Sequence, residues 1–163
     1  SLFVSRWDVA ANKRLPGALH NRLGIAVAAQ TYRAYRELLA APRWHQLASA
    51  GAHVQRPLWA STGTKDPAAP DTLYVEALAA PDTINTLPEK TLFAFSDHGK
   101  VQPSLQGDGG DTTIAQCREA GIDIDALAEQ LQREGAESFS QSWAKLLDNL
   151  AGKAKAAPGK AAA

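Results

Sequence analysis

The sequence predicts an α/β fold built on a parallel sheet, and three observations carry that reading. Three short β-rich runs occur, and each is followed by a stretch with helical spacing. The connections between the runs are far longer than a hairpin turn, as parallel strands require, and such crossovers are right-handed. After the third unit the remaining chain reads as helix, so the pattern is βαβαβα followed by helices.

Residues 1–7 form the first β-rich run, bulky and aromatic with β-branched Val4. Asp8 to Gly17 holds Asn12, Lys13, Arg14, Pro16 and Gly17 and reads as a loop. Leu19, Leu23, Val27, Ala34, Tyr35 and Leu38 recur at near-helical spacing between Ala18 and Ala41, and Pro42 stops that helix. Trp44 to Ala50 is a second helical piece, with Gly51 as its C′ residue. Val54 to Ala60 is the next β-rich run, and Pro57 places the strand start at about Leu58.

Ser61 to Pro67 is a polar loop, and Asp71 is positioned to cap a helix through Leu73, Ala77 and Leu78. Thr83 to Leu87 is the third run. Thr86 and Glu89 have capping-box spacing around Pro88, which opens a helix ending near Gly99. Gly107 to Asp111 reads as a loop, and it lacks the spacing of a calcium loop. Three helices follow: Thr112 to Ala120, Asp125 to Glu134 stopped at Gly135, and Ser138 to Leu150, whose Phe139, Trp143, Leu146 and Leu150 share a face. Residues 151–163 are Ala, Lys, Pro and Gly only and read as a disordered tail after a single domain at 1–150.

Composition narrows the function. The chain has 163 residues, 45% hydrophobic and 21% charged, with seventeen cationic and seventeen acidic side chains balancing to zero. That balance argues against bulk attraction to nucleic acid or an acidic membrane surface. No apolar run approaches the roughly 18 residues of a membrane span. One Cys makes neither an intramolecular disulfide nor a Cys-rich zinc site, which fits a reducing cytoplasm. The chain contains no Met and opens directly on a β-rich run. Either an initiator Met has been removed before Ser1, or the sequence is part of a longer protein. A small sheet of three strands with two open edges points the same way, because such edges are normally paired or covered.

Chemistry in parallel α/β proteins gathers at the C-terminal ends of strands. Those ends offer Ser5, Arg6, Trp7 and Asp8, then Ser61, Thr62, Gly63, Thr64 and Lys65, then Asn85 and Thr86. The first two groups combine a cation with small hydroxyls, a set suited to a phosphate. The spacings of a P-loop and of a dinucleotide-binding glycine motif are both absent. Arg6 has the alternative of pairing with Asp8 or facing solvent, and Lys65 of pairing with Asp66 or acting as an amine nucleophile. Asp8 and Glu76 are acid–base candidates by residue type alone. Asp8 is the more natural partner of Arg6, and Glu76 lies on a predicted helix. His20, His45, His53 and His98 have no metal-ligand spacing, so no metal site is predicted, and His98 suits a helix C-terminus. Cys117 reads as a small buried residue, and Trp44, Trp59 and Trp143 as packing aromatics.

Several motifs, in order, resemble bacterial transaldolase: Ser1 to Asp8, Arg56 to Lys65, Asp71 to Glu76 and Asn85 to Glu89 match that family's last three barrel strands, and Gly121 to Leu127 with Gly135 to Leu150 match its C-terminal helices. The resemblance covers nearly the whole chain except the Ala/Lys tail. It implies the C-terminal portion, about strands six to eight and the following helices, of a (β/α)8 TIM barrel. The family's activity, in the pentose phosphate pathway, moves a dihydroxyacetone unit between sugar phosphates: fructose 6-phosphate and sedoheptulose 7-phosphate as ketoses, erythrose 4-phosphate and glyceraldehyde 3-phosphate as aldoses. A lysine Schiff base carries it, without metal or organic cofactor.

By position the resemblance implies that Ser1 and Phe3 line the substrate, that Arg6 and Ser61 bind phosphate, and that Lys65 stands in for an arginine many members carry shortly after that serine. Lys lacks the bidentate fork of Arg. Ser5 replaces a glycine common in the family. The family's Schiff-base lysine lies on strand four and its acidic partners on strands one and three, so no catalytic residue is assigned in this chain, and Lys65 passes from nucleophile candidate to phosphate ligand. Three function classes follow: a transaldolase whose other strands lie elsewhere, a sugar-phosphate-binding half-barrel without turnover, and an inactive piece that self-associates through its open sheet edges.

Overall fold

The computed structural model describes residues 1–102, 105 and 109–156. Its sheet has three parallel strands in sequence order: β1 (Leu2–Phe3), β2 (Leu58–Ala60) and β3 (Ile84–Asn85). Leu2 stands opposite Trp59 and Phe3 opposite Ala60, while Leu58 and Trp59 pair with Ile84 and Asn85. All three strands therefore end on one side of the sheet, at Phe3, Ala60 and Asn85. The parallel βαβαβα reading holds, as does the strand start at Leu58.

Helices α1 (Val4–Ala11), α2 (Leu23–Ala40) and α3 (Pro42–Ser49) lie between the first two strands, with a 3-10 turn at Gly17–Leu19. Helix α4 (Leu73–Ala77) precedes β3, and α5 (Glu89–His98) and α6 (Asp111–Glu119) follow it. Val4, Ala28, Trp59, Tyr74, Leu78 and Leu105 form a core cluster, so the β2 tryptophan packs among side chains of α1, α2 and α4. Two compact units are distinguished, residues 1–124 and residues 125–163. The second is built on α7 (Ile124–Ala156), a continuous helix of 33 residues. Among the described residues no helix is long and apolar enough to cross a membrane.

The structure corrects several expectations. The first β-rich run is only two residues long, and the chain turns into α1 at Val4 instead of looping from Asp8. Val4, Trp7, Asp8 and Ala11 are all buried, and their spacing of three, one and three is one face of a helix. That period overrides the β-propensity of the first residues. The helix expected from Ala18 begins at Leu23, after a 3-10 turn. Asp71 does not cap α4, whose first flanking residue Thr72 makes no side-chain cap either. Nor does Thr86 cap α5: its hydroxyl donates to the Trp59 carbonyl at 3.1 Å.

Gly135 does not divide the last helices. An interior glycine costs a helix only about 1 kcal/mol relative to alanine, which good helix formers on either side outweigh. The shared face of Phe139, Trp143, Leu146 and Leu150 exists on α7 but is exposed, so Trp143, at 61% exposure, is no core aromatic. Trp59 is buried and Trp44 half-buried. Helix α7 also runs to Ala156, into the stretch read as a tail, and residues 157–163 lie outside the described residues. In the Gly107–Asp111 stretch, residues 107 and 108 lie outside them as well, while Gly109 and Gly110 take positive φ and Asp111 opens α6.

Candidate functional site at the strand ends

The three strand ends are knitted together by short polar contacts. Where β1 ends, the first turn of α1 begins at once, and the Ser5 amide donates to the Ser61 carbonyl at 3.1 Å. The two serine hydroxyls lie 2.8 Å apart. One of them donates to the other, which leaves the second hydroxyl proton free for an incoming oxygen. Ser61, just past β2, has φ of 55°, a left-handed conformation rare for a residue with a side chain. Such strain costs about 1–2 kcal/mol and is held in place here by the bonds from Ser5. Between β2 and β3, the buried Thr62 hydroxyl lies 2.8 Å from both Asn85 Oδ1 and the Thr86 carbonyl. At Gly63 a Cβ would come within 2.9 Å of Pro88 Cγ, so the loop after β2 passes close against the turn after β3.

Arg6 does not pair with Asp8. Its guanidinium carbon stands 4.5 Å from the centre of the Phe3 ring, a cation–π contact that leaves the donor fork without a carboxylate among the described residues. Asp8 turns the other way and is buried at 1% exposure. Its Oδ1 accepts from the Gly24 amide at 3.1 Å and its Oδ2 from the Tyr74 hydroxyl at 2.7 Å. Burial pushes the Asp8 carboxyl above the usual aspartate range, partly offset by those hydrogen bonds. Burial together with the adjacent Asp8 pushes the Tyr74 phenol far up, which keeps it a donor.

Lys65 does not pair with Asp66 either. The Asp66 carboxylate accepts from Asn21 Nδ2 at 2.7 Å and from the Ala68 amide at 2.9 Å, and the Asn21 bond is the first cause of its lowered pKa. Asn21 in turn exchanges two bonds with Asn12, so the end of α1, the turn before α2 and the β2–α4 loop form one chain of contacts. Lys65 is exposed in that loop and makes no ion pair among the described residues. Ser1 is exposed ahead of β1.

The candidate residues are therefore only partly assembled. Phe3 and Arg6 stack, and Ser61 joins the first turn of α1 through Ser5. No hydrogen bond or ion pair among the described residues draws Ser1 or Lys65 to the others. Ser5, which stands where the resembled family commonly has glycine, is the residue that joins the first two strand ends. Asp8 and Tyr74 were not identified as a pair, because their 66-residue separation leaves no local signal. Glu76 accepts from the Lys100 amide at 3.1 Å, and His98 faces Asp71 and Asp97 at 2.9 and 3.2 Å instead of capping its helix alone. Cys117 is buried. Among the described residues no group of three or more His, Cys, Asp or Glu side chains is placed to hold a metal ion.

The described sheet thus brings hydroxyls and Arg6 to its C-terminal strand ends, the side on which parallel α/β proteins gather their functional residues. The family follows from comparison. The family model described as transaldolase/fructose-6-phosphate aldolase matches residues 1–150, and the chain belongs to that family. It is 45% identical over 161 residues to a transaldolase of Frankia alni, covering 93% of this chain and 43% of that one. It is 46% identical over 155 residues to a transaldolase of Acidothermus cellulolyticus, covering 90% and 42%. Against a transaldolase of Thermobifida fusca it is 43% identical over 161 residues, covering 93% and 44%. The chain thus spans less than half the length of these curated relatives.

Proposed function

We propose that residues 1–150 are the C-terminal portion of a transaldolase (β/α)8 barrel and carry its phosphate-binding share. The observation that supports this best is the clamp at the first two strand ends. A strained Ser61 is bonded through backbone and hydroxyl to the first turn of α1, in which the Arg6 donor fork has no carboxylate partner among the described residues. Arg6 offers two parallel N–H donors to a phosphate, and the Ser5/Ser61 pair offers one hydroxyl proton more. Lys65 adds a point charge from an exposed loop, without the fork. Ser1 and Phe3 line the substrate side, with Phe3 also supporting the Arg6 guanidinium.

The substrates in this reading are sugar phosphates: fructose 6-phosphate, sedoheptulose 7-phosphate, erythrose 4-phosphate and glyceraldehyde 3-phosphate. The setting is the cytoplasm. The lysine that forms the Schiff base belongs to a strand outside this chain, so these residues bind and orient while the carbon–carbon bond is cleaved elsewhere in the barrel. Titration of the chain with fructose 6-phosphate tests the binding share. Arg6→Ala weakens binding by at least about tenfold, the loss of one charge-assisted bidentate contact. Unchanged affinity in that variant would remove Arg6 from the site. Borohydride treatment in the presence of fructose 6-phosphate tests the catalytic share. No covalent adduct forms on this chain, and an adduct on Lys65 would restore it as the nucleophile.

A further inference from the structure

Behind the strand ends lies a buried carboxylate that phosphate binding does not use. Asp8 sits three residues after Ser5, one turn along α1 on the same face, and both are 1% exposed. Gly24, which donates to Asp8 Oδ1, is the second residue of α2. The amides there have no partner within their own helix, and the flanking Arg22 makes no side-chain cap. Asp8 therefore caps α2 from another helix, and the partial positive charge of that helix end favours a carboxylate. Its second oxygen takes the Tyr74 hydroxyl, and Tyr74 belongs to α4, the helix that follows the Ser61–Lys65 loop.

A buried charge of this kind is a poor device for stability, since an apolar replacement of similar size often holds a fold as well. What it does supply is direction. Strand β1 is two residues long and pairs on one side only among the described residues, so it does little to fix where α1 points. The front of α1 is held by Ser5 on Ser61, and the back by Asp8 on Gly24 and Tyr74.

We propose that Asp8 is a positioning residue for the strand-end anion site: by joining α1 to α2 and, through Tyr74, to α4, it sets the spacing between Arg6 and Ser61 that a phosphate would bridge. The proposal deepens the phosphate-binding reading and rests on it for the ligand.

Tyr74→Phe and Asp8→Asn in the whole chain test it. The first keeps the ring that fills the core and removes one donor. The second keeps an oxygen that can still accept from α2. Two readouts are taken: amide hydrogen exchange at Ser5 and, as a reference, at Cys117 in α6, and the dissociation constant for fructose 6-phosphate. Tyr74→Phe lowers Ser5 protection about tenfold more than Cys117 protection and raises the dissociation constant about tenfold, with Asp8→Asn in the same direction. Ser5 protection that falls only in step with Cys117, in both variants, overturns the proposal, because the pair is then merely part of the core. So does an unchanged dissociation constant beside a weakened Ser5 amide. The exchange readout needs no ligand. Failure of Arg6→Ala to affect binding therefore strikes the phosphate reading, while Ser5 exchange decides separately whether Asp8 sets the α1 geometry.

Discussion

Gly24 is the point where α2 passes closest to α1, and replacing it tests whether that approach is enforced. A Cβ there would overlap the Val4 carbonyl oxygen and stand 2.8 Å from Asp8 Oδ2 and 3.1 Å from Val4 Cγ1. The first obstacle is backbone and cannot swing away. Relief requires the start of α2 to retreat, which stretches the 3.1 Å bond from the Gly24 amide to Asp8 Oδ1. Overpacking costs about 1–3 kcal/mol. Weakening a buried hydrogen bond to a charged group adds about 1.5–3 kcal/mol. Against this, alanine at this second helical position returns at most the helix-interior gain of about 1 kcal/mol over glycine. The net expectation for Gly24→Ala, with that return taken in full, is a loss of about 1.5–5 kcal/mol.

Urea unfolding followed by tryptophan fluorescence measures it. With a slope of about 2 kcal/mol per molar, the midpoint falls by about 0.8–2.5 M. Gly152→Ala is the control, because nothing lies within 4 Å of a Cβ on that exposed helical position. It raises the helicity of α7, worth about 0.5–1 kcal/mol. A neutral or stabilising Gly24→Ala would refute the close approach, and with it the capping of α2 by Asp8.

Three further expectations concern loops and surface pairs. His98 is held protonated by Asp71 first and Asp97 second, so its pKa is raised, while Asp71 is lowered mainly by His98. The His98 share of stability is full below its ordinary pKa of about 6.5 and is lost as pH rises through the higher folded value. The Asp71 share is full above about 3.9 and is lost as pH falls through its lowered value. The thermal midpoint of His98→Gln should therefore differ most from that of the parent between those two pH values, and an equal difference at pH 9 would count against the pair. Asn21→Ala puts alanine, which tolerates the left-handed region less well than asparagine, at φ of 59° and removes the side-chain bonds from Asn12 Nδ2 and to Asp66, while the amide bond to Asn12 Oδ1 stays. It should cost about 1–3 kcal/mol in urea unfolding and speed proteolysis within the Ser61–Pro67 loop, whereas an unchanged cleavage rate would free that loop from Asn21. Asp111 titrates at about 2, held down by Arg33 first and Gln30 second. In Arg33→Ala its carboxyl resonance should titrate closer to the ordinary aspartate range, and an unmoved midpoint would assign the shift to something else.

The parts of the fold that were legible share a short sequence range. The parallel order, the start of β2 at Leu58 behind Pro57, and the glycine ends of α3 and α6 all follow from residues within a few positions of each other. At the N-terminus two local signals competed. Leu2, Phe3 and Val4 favour strand, while the buried 4, 7, 8 and 11 positions favour helix, and packing against α2 and β2 decided for the helix. The expected caps at Asp71 and Thr86 failed because each side chain had a better partner from a distant segment, His98 for one and the Trp59 carbonyl for the other.

The candidate site divides in the same way. Residue types at the strand ends were enough to mark Arg6, Ser61 and Lys65, because a phosphate needs cations and hydroxyls whatever surrounds them, while the ordered motifs pointed to the family and only that resemblance added Ser1 and Phe3. Which neighbour each side chain prefers is a different question. Asp8 turns from Arg6 to Tyr74 and Gly24, and Asp66 turns from Lys65 to Asn21, leaving both cations without an acidic partner among the described residues. No local pattern encodes those choices. A carboxylate goes to whichever donors the packed chain holds within about 3 Å and out of water, and only the tertiary structure determines which those are.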